Sequence, residues 1–74
     1  MSVKIVDAAA GIQIDTTDTN NLYVGVSQVG TTTSTATWQI KKIVISGANI
    51  SILWADCNQK FDNVWDDRAS LSYS

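Results

Sequence analysis

Asp56-Cys57-Asn58-Gln59-Lys60 gathers a carboxylate, a thiol, two amides and an amine into one short run. A cysteine nucleophile acts as its thiolate and needs a partner that takes its proton. The sequence has no His, so neither Cys57 nor any Ser has the base that a catalytic triad requires. Asp56, Asn58 and Lys60 fall at positions 1, 3 and 5 of a calcium-loop spacing, with Asp67 at 12. Lys60 stands where an oxygen ligand belongs, and Phe61 where the loop needs Gly for its sharp turn. Asp15, Asp18 and Asn20 make a second oxygen-rich group, without ligand spacing. Acid–base catalysis by carboxylates needs one with a shifted pKa in a pocket. The acids here cluster in turns, where Asp and Asn ordinarily satisfy nearby backbone groups. The expectation is a non-enzymatic chain with no catalytic, cofactor-binding or metal-binding residue.

The aromatic residues are the next candidates. Exposed Trp or Tyr in a shallow groove would form a glycan platform, but Trp38 and Trp54 sit beside Ile at core parity on strands. Trp65 lies among Asp62, Asp66 and Asp67, a pattern that fits a ring buried under the polar rim of an interface. Arg68 follows Asp66 and Asp67 and is placed for a local or intersubunit salt bridge. The expected interface set is Trp65, Asp66, Asp67, Arg68 and Tyr73, with Lys41 and Lys42 at a strand edge.

Composition narrows the class. At 74 residues the chain is read as one β domain, 1–74. A chain this short buries only about 60% of its unfolded surface, and a lone core of this size rarely supplies more than about 3–5 kcal/mol. One Cys excludes an internal disulfide, and the lack of His makes structural zinc improbable. Self-association or docking on a larger assembly is then the expected source of further stability. Eight Thr and eight Ser, with no Pro and no Glu, favour strands and turns over helices. Seven Asp against four Lys and one Arg leave a net charge of −2, with no basic surface for nucleic acid and no run for anionic lipid. No apolar run approaches a membrane span, and Asp7 interrupts the short apolar stretch where an export signal would sit. A lone Cys fits synthesis in a reducing cytoplasm.

The elements that must position these residues read as strands. Val3–Val6 is a first short strand and Ala8–Gly11 a bend. Ile12–Asp15 alternates apolar and polar residues, and Thr16–Asn21 is turn-rich. Leu22–Val26 is a strand weakened by Gly25, and Val29–Ser34 is a loop. Thr35–Ile45 is the strongest strand, with its apolar parity switching at Lys41-Lys42, which suggests a bulge or an edge. Ser46–Asn49 turns back into Ile50–Trp54, which should pair antiparallel with Ile43–Ile45. Phe61, Val64 and Trp65 have the spacing of one helical turn near 61–66, and Arg68–Ser74 alternates as a closing strand. The fold class is all-β, a small antiparallel β-sandwich or barrel-like module.

Four segments together carry a family resemblance: Tyr23-Val24-Gly25; Gly30 to Ile43, which includes Trp38-Gln39-Ile40-Lys41-Lys42-Ile43; Trp54-Ala55-Asp56; and Phe61 to Ser74, which opens Phe61-Asp62-Asn63-Val64-Trp65-Asp66-Asp67-Arg68. This pattern, about two-thirds of the chain from Tyr23 onward, resembles a group of small proteins found among the structural genes of tailed bacteriophages. Cys57 departs from it where the pattern has Gly, and Asp67 where it has Asn. A Gly there suggests a positive φ, which would strain Cys57 modestly. The resemblance implies a virion protein, made in the bacterial host cytoplasm, whose partners are copies of itself and other virion proteins. It implies no catalytic residues. The expected function is therefore a structural module that self-assembles or decorates capsid or tail. The alternatives are a glycan-binding module on a tail tip and a filament or lattice subunit outside phages.

Overall fold

The computed structural model describes residues 11–74. The Val3–Val6 strand and most of the Ala8–Gly11 bend lie outside the described residues. Five strands follow: β1 (Gly11–Asp18), β2 (Asn21–Ser27), β3 (Ala36–Ser46), β4 (Asn49–Trp54) and β5 (Asn63–Val64), then a 3-10 helix at Trp65–Ser70. All the strand pairs are antiparallel, and the sheet runs β1-β2-β3-β4 with β5 also on β3. The expected all-β antiparallel class is what the chain adopts.

Short polar turns set the hairpins. Asp18 Oδ1 accepts the Asn20 N–H at 2.8 Å and Oδ2 accepts the Asn21 side-chain amide at 3.2 Å. The turn is therefore tighter than the Thr16–Asn21 span, and β1 continues to Asp18. Between β3 and β4, Gly47 takes φ +61 at the first central position of the turn, as a II′ hairpin requires. Ile43 then faces Ile52 and Ile45 faces Ile50, the expected pairing.

β3 is the central strand. Its C-terminal half pairs with β4 and its N-terminal half with β5, so the edge beyond β3 is a strand in two pieces. Lys41 and Lys42 therefore lie mid-sheet on opposite faces. There is no bulge between them, since Lys41 pairs with both Val24 and Trp54, and Lys42 with Tyr23 and Leu53. The parity switch arises because the large apolar residues Trp38 and Ile40 lie on one face, and after Lys41-Lys42 the isoleucines Ile43 and Ile45 lie on the other. The chain leaves the edge at Ala55–Asp62, where Asp56 and Cys57 take φ +56 and +61 in succession. Cys57 therefore occupies the left-handed conformation that ordinarily favours Gly.

The core lies on one face of the sheet: Trp38, Ile40, Ala55 and Trp65, with Tyr23, Leu71 and Tyr73 packed around them. Its second layer is the 3-10 helix and the C-terminal residues. The helix starts four residues after the start of the 61–66 window, because Asn63 and Val64 are taken up as β5. Arg68–Ser74 is not a continuous closing strand, since Arg68–Ser70 are helical. Ser74 and Trp54 instead exchange backbone hydrogen bonds at 2.9 and 3.2 Å, and the Asp56 N–H donates to Ser72 O at 2.7 Å.

Trp65 is the residue on which this layer seats. Its ring is 6.2 Å from that of Trp38, centroid to centroid, and it lies directly on Gly25. A Cβ at position 25 would stand 2.5 Å from Trp65 Cε3 and 3.2 Å from Trp38 Cε3. The Gly in mid-strand is thus required by close approach of two indoles rather than by backbone conformation. Gly25→Ala should lower stability by about 1–3 kcal/mol through overpacking. Trp65→Ala should remove about 3–5 kcal/mol, comparable to the whole stability of such a domain. Urea unfolding followed by circular dichroism checks both; an unchanged midpoint in Gly25→Ala would reject the contact.

Candidate functional site

The expected interface residues divide between the two faces of the sheet. Trp65 is only 5% exposed and sits inside its own subunit's core, so it offers no surface to a partner. This corrects its assignment as an assembly contact. The acidic neighbours that suggested a rim, Asp66 and Asp67, are exposed and point the helix's polar side outward. Arg68 does not pair with either of them. Its Nε donates to Asp15 Oδ2 at 2.9 Å, its Nη1 donates to Trp65 O at 3.1 Å, and its guanidinium stacks 4.6 Å from the Trp65 ring centroid. Arg68 therefore clamps the C-terminal layer to β1 within one chain. The Tyr73 hydroxyl donates to Arg68 O at 2.7 Å, and burial pushes its phenol pKa up. Lys42 lies over the Tyr23 and Tyr73 rings, 5.9 and 5.8 Å from their centroids, on this same covered face.

Lys41 belongs to the opposite face. Directly paired residues in an antiparallel sheet share a face, so the register builds that face row by row. Ile12, Val26 and Gln39 make one row, and Ile14, Val24, Lys41 and Trp54 the next. Leu22, Ile43 and Ile52 follow, then Ile45 and Ile50. Every position but Gln39 and Lys41 is apolar. Ile12, Ile14, Ile50 and Ile52 are each more than half exposed. Trp54, expected at core parity, is instead half-buried here, with the Lys41 ammonium 5.7 Å from its ring centroid. Among the described residues no core cluster forms on this side. The sequence carried the signal in the alternation of Ile12/Ile14 and Ile50/Ile52, but the register was needed to join the two edges into one patch.

A second feature lies at the end of the sheet where β2 leaves and β3 begins. A cleft of about 720 Å³ opens between the Gln28–Thr35 loop and Phe61, with Ser27, Thr31, Thr32, Thr35 and Thr37 among its lining residues. Phe61 is 52% exposed. The glycan-platform reading looked for Trp or Tyr; the exposed ring is a Phe outside the strands. Cys57 is exposed in the neighbouring turn. Among the described residues no group of three acids or thiols could hold a metal, and no helix is long and apolar enough to cross a membrane.

No protein-family model matches the chain, and no curated protein or solved structure is significantly similar to it.

The clamp makes a pH prediction. Hydrogen bonds from the Thr17 hydroxyl, then its N–H, and then from Arg68 hold the Asp15 carboxyl down at about 2. The folded state thus favours the carboxylate. Its contribution is complete above the ordinary Asp value of about 3.9 and is lost as pH falls through about 2. The stability gap between the wild type and Asp15→Asn should therefore close between about pH 4 and pH 2. Thermal melts across that window check it; a gap independent of pH would show that the carboxylate charge does not matter.

Proposed function

We propose that this chain is a non-enzymatic structural subunit that closes its exposed sheet face against a second copy of itself, in the setting of a bacteriophage particle. The observation that carries the reading is the apolar face built from Ile12, Ile14, Leu22, Val24, Ile43, Ile50 and Ile52. Exposed contiguous apolar patches of this kind mark interaction sites. Sheets with one covered and one watered face alternate apolar and polar residues. Here both faces are apolar, as in a sheet with a layer on each side.

A second copy is the occupant that the geometry favours. Four strands about 4.8 Å apart, over about six residues of about 3.3 Å each, give a footprint of about 400 Å². Two such faces closing on each other cover about 800 Å² of footprint. They cover more of accessible side-chain surface, which approaches the lower bound of about 1,200 Å² for stable interfaces. Aligned sheets pack about 10 Å apart through interdigitating aliphatic side chains, which Ile and Val supply. The one charged side chain in the rows, Lys41, has a long apolar stem and holds its ammonium over the Trp54 ring, 5.7 Å from the centroid. Among the described residues the rows hold no acid to leave unpaired. Two copies so arranged form a β-sandwich between subunits.

The virion setting rests on the resemblance of the Trp38–Ile43 and Phe61–Ser74 segments to phage structural proteins. In that setting the chain is made in the host cytoplasm and ends in the particle, in contact with itself and other virion proteins.

Light scattering after size exclusion, over a range of concentrations, tests the self-contact. A dimer or higher mass is expected for the wild type. In Ile52→Lys the fold should persist while association weakens by at least about tenfold. A wild-type monomer throughout would overturn the proposal and leave the face to residues 1–10 or to a different protein. Recovery of the chain from purified phage particles supports the setting, and its absence from them would reject it.

A further inference from the structure

We propose that the cleft between the Gln28–Thr35 loop and Phe61 is a binding site for a neutral saccharide, separate from the apolar sheet face. Three properties lead there. The first is volume: about 720 Å³ is within the about 300–1,000 Å³ typical of small-ligand sites.

The second is chemistry. The lining holds no charged side chain. Its lining residues include Thr31, Thr32, Thr35, Thr37 and Gln28, whose hydroxyl and amide groups both donate and accept hydrogen bonds. Lys60 and Asp62 flank Phe61 in sequence but are not among the lining residues. A charged ligand would find no counter-ion, and a purely apolar one would leave the hydroxyls without water. A polyhydroxylated, uncharged molecule suits both. The Phe61 ring gives the apolar C–H face of a pyranose a surface to stack on, and its 52% exposure leaves that ring accessible.

The third is rigidity. The loop walls are tied to the central strand on both sides. Thr32 O accepts the Trp38 indole N–H at 3.0 Å, and that indole is only 1% exposed. The Thr31 N–H donates to Gln28 O at 3.1 Å and the Thr35 N–H to Thr32 O at 3.2 Å. Ser27 Oγ, buried at the floor, donates to Thr37 O at 2.9 Å. On the other side the Gln39 side-chain amide donates to Gln59 O at 2.8 Å, which holds the turn leading to Phe61. Thr32 Oγ1 and Thr35 Oγ1 lie 2.6 Å apart, a hydrogen bond that ties these two residues together within the loop. Such loops on a fixed scaffold bind with little ordering cost.

Amide chemical-shift titration of the full chain tests the site. The probes are glucose, galactose, N-acetylglucosamine and their short linear oligomers. Shifts confined to residues 28–37 and 59–62, saturating in the millimolar range, are expected from at least one probe. Phe61→Ala, which alters an exposed ring and should leave the fold intact, should weaken them about tenfold or more. No cleft shift with any probe, shifts elsewhere alone, or shifts unchanged in Phe61→Ala would each overturn the proposal. The cleft shares none of the residues in the apolar rows, so Ile52→Lys should leave the titration as it is.

Discussion

The contact between Trp65 and Gly25 decides how this chain folds. A small β chain has few large side chains, and two of its indoles, Trp38 and Trp65, stack on the same strand-centre glycine. No other residue type at position 25 leaves room for both rings. The contact brings the C-terminal layer down on one face of the sheet, and the rest of that layer is built around it. Arg68 covers the ring and reaches Asp15 on the far edge strand, 53 residues away in sequence. Tyr73 closes the layer by donating to Arg68 O, while Ser72 and Ser74 pair with the end of β4 and the residues just after it. Removing Trp65 would leave Arg68 without its platform and the carboxyl end without its anchor.

That arrangement uses up the covering elements on one side. The described chain has one helix-containing layer for a sheet that is apolar on both sides. The opposite face is broad, aliphatic and carries only Lys41 as a charge, so water is a poor solvent for it. The long central strand makes this possible: β3 gives Trp38 and Ile40 to one layer, then Ile43 and Ile45 to the other face. Its partner edge is interrupted, which frees the Ala55–Asp62 turn to carry Phe61 away from the sheet. Fold, exposed face and cleft thus follow from one design, a central strand that serves two surfaces.

Local pattern made much of this legible. The strand at Ile12–Asp15, the turn at Gly47 and the pairing of Ile43–Ile45 with Ile50–Trp54 are short-range features that the sequence shows, but Ile12 and Ile14 lie on the exposed face and the turn after β1 is shorter than Thr16–Asn21. Lys41-Lys42 misled because a parity break is the signature both of a bulge and of a strand with two apolar faces. Only the partners on both sides of β3 distinguish these. Trp65 misled for a similar reason: its neighbours Asp66 and Asp67 are polar, but a 3-10 helix turns them outward while the ring turns in. The Arg68–Asp15 clamp and the cleft depend on residues far apart in the chain, and no local pattern encodes them. The exposed face was written in the sequence as alternating Ile on separate strands, yet its continuity exists only in the register.

The most direct measurement is the relaxation of isoleucine methyl signals by a soluble paramagnetic chelate, on the full chain at concentrations that span the association. Ile40, 1% exposed in the core cluster with Trp38 and Trp65, supplies an internal reference for full protection. If the sheet face closes on a second copy, the methyls of Ile14, Ile43, Ile50 and Ile52 become protected together as concentration rises, approaching Ile40. Methyls that stay fully accessible at every concentration, with Ile40 alone protected, would contradict a shared second layer.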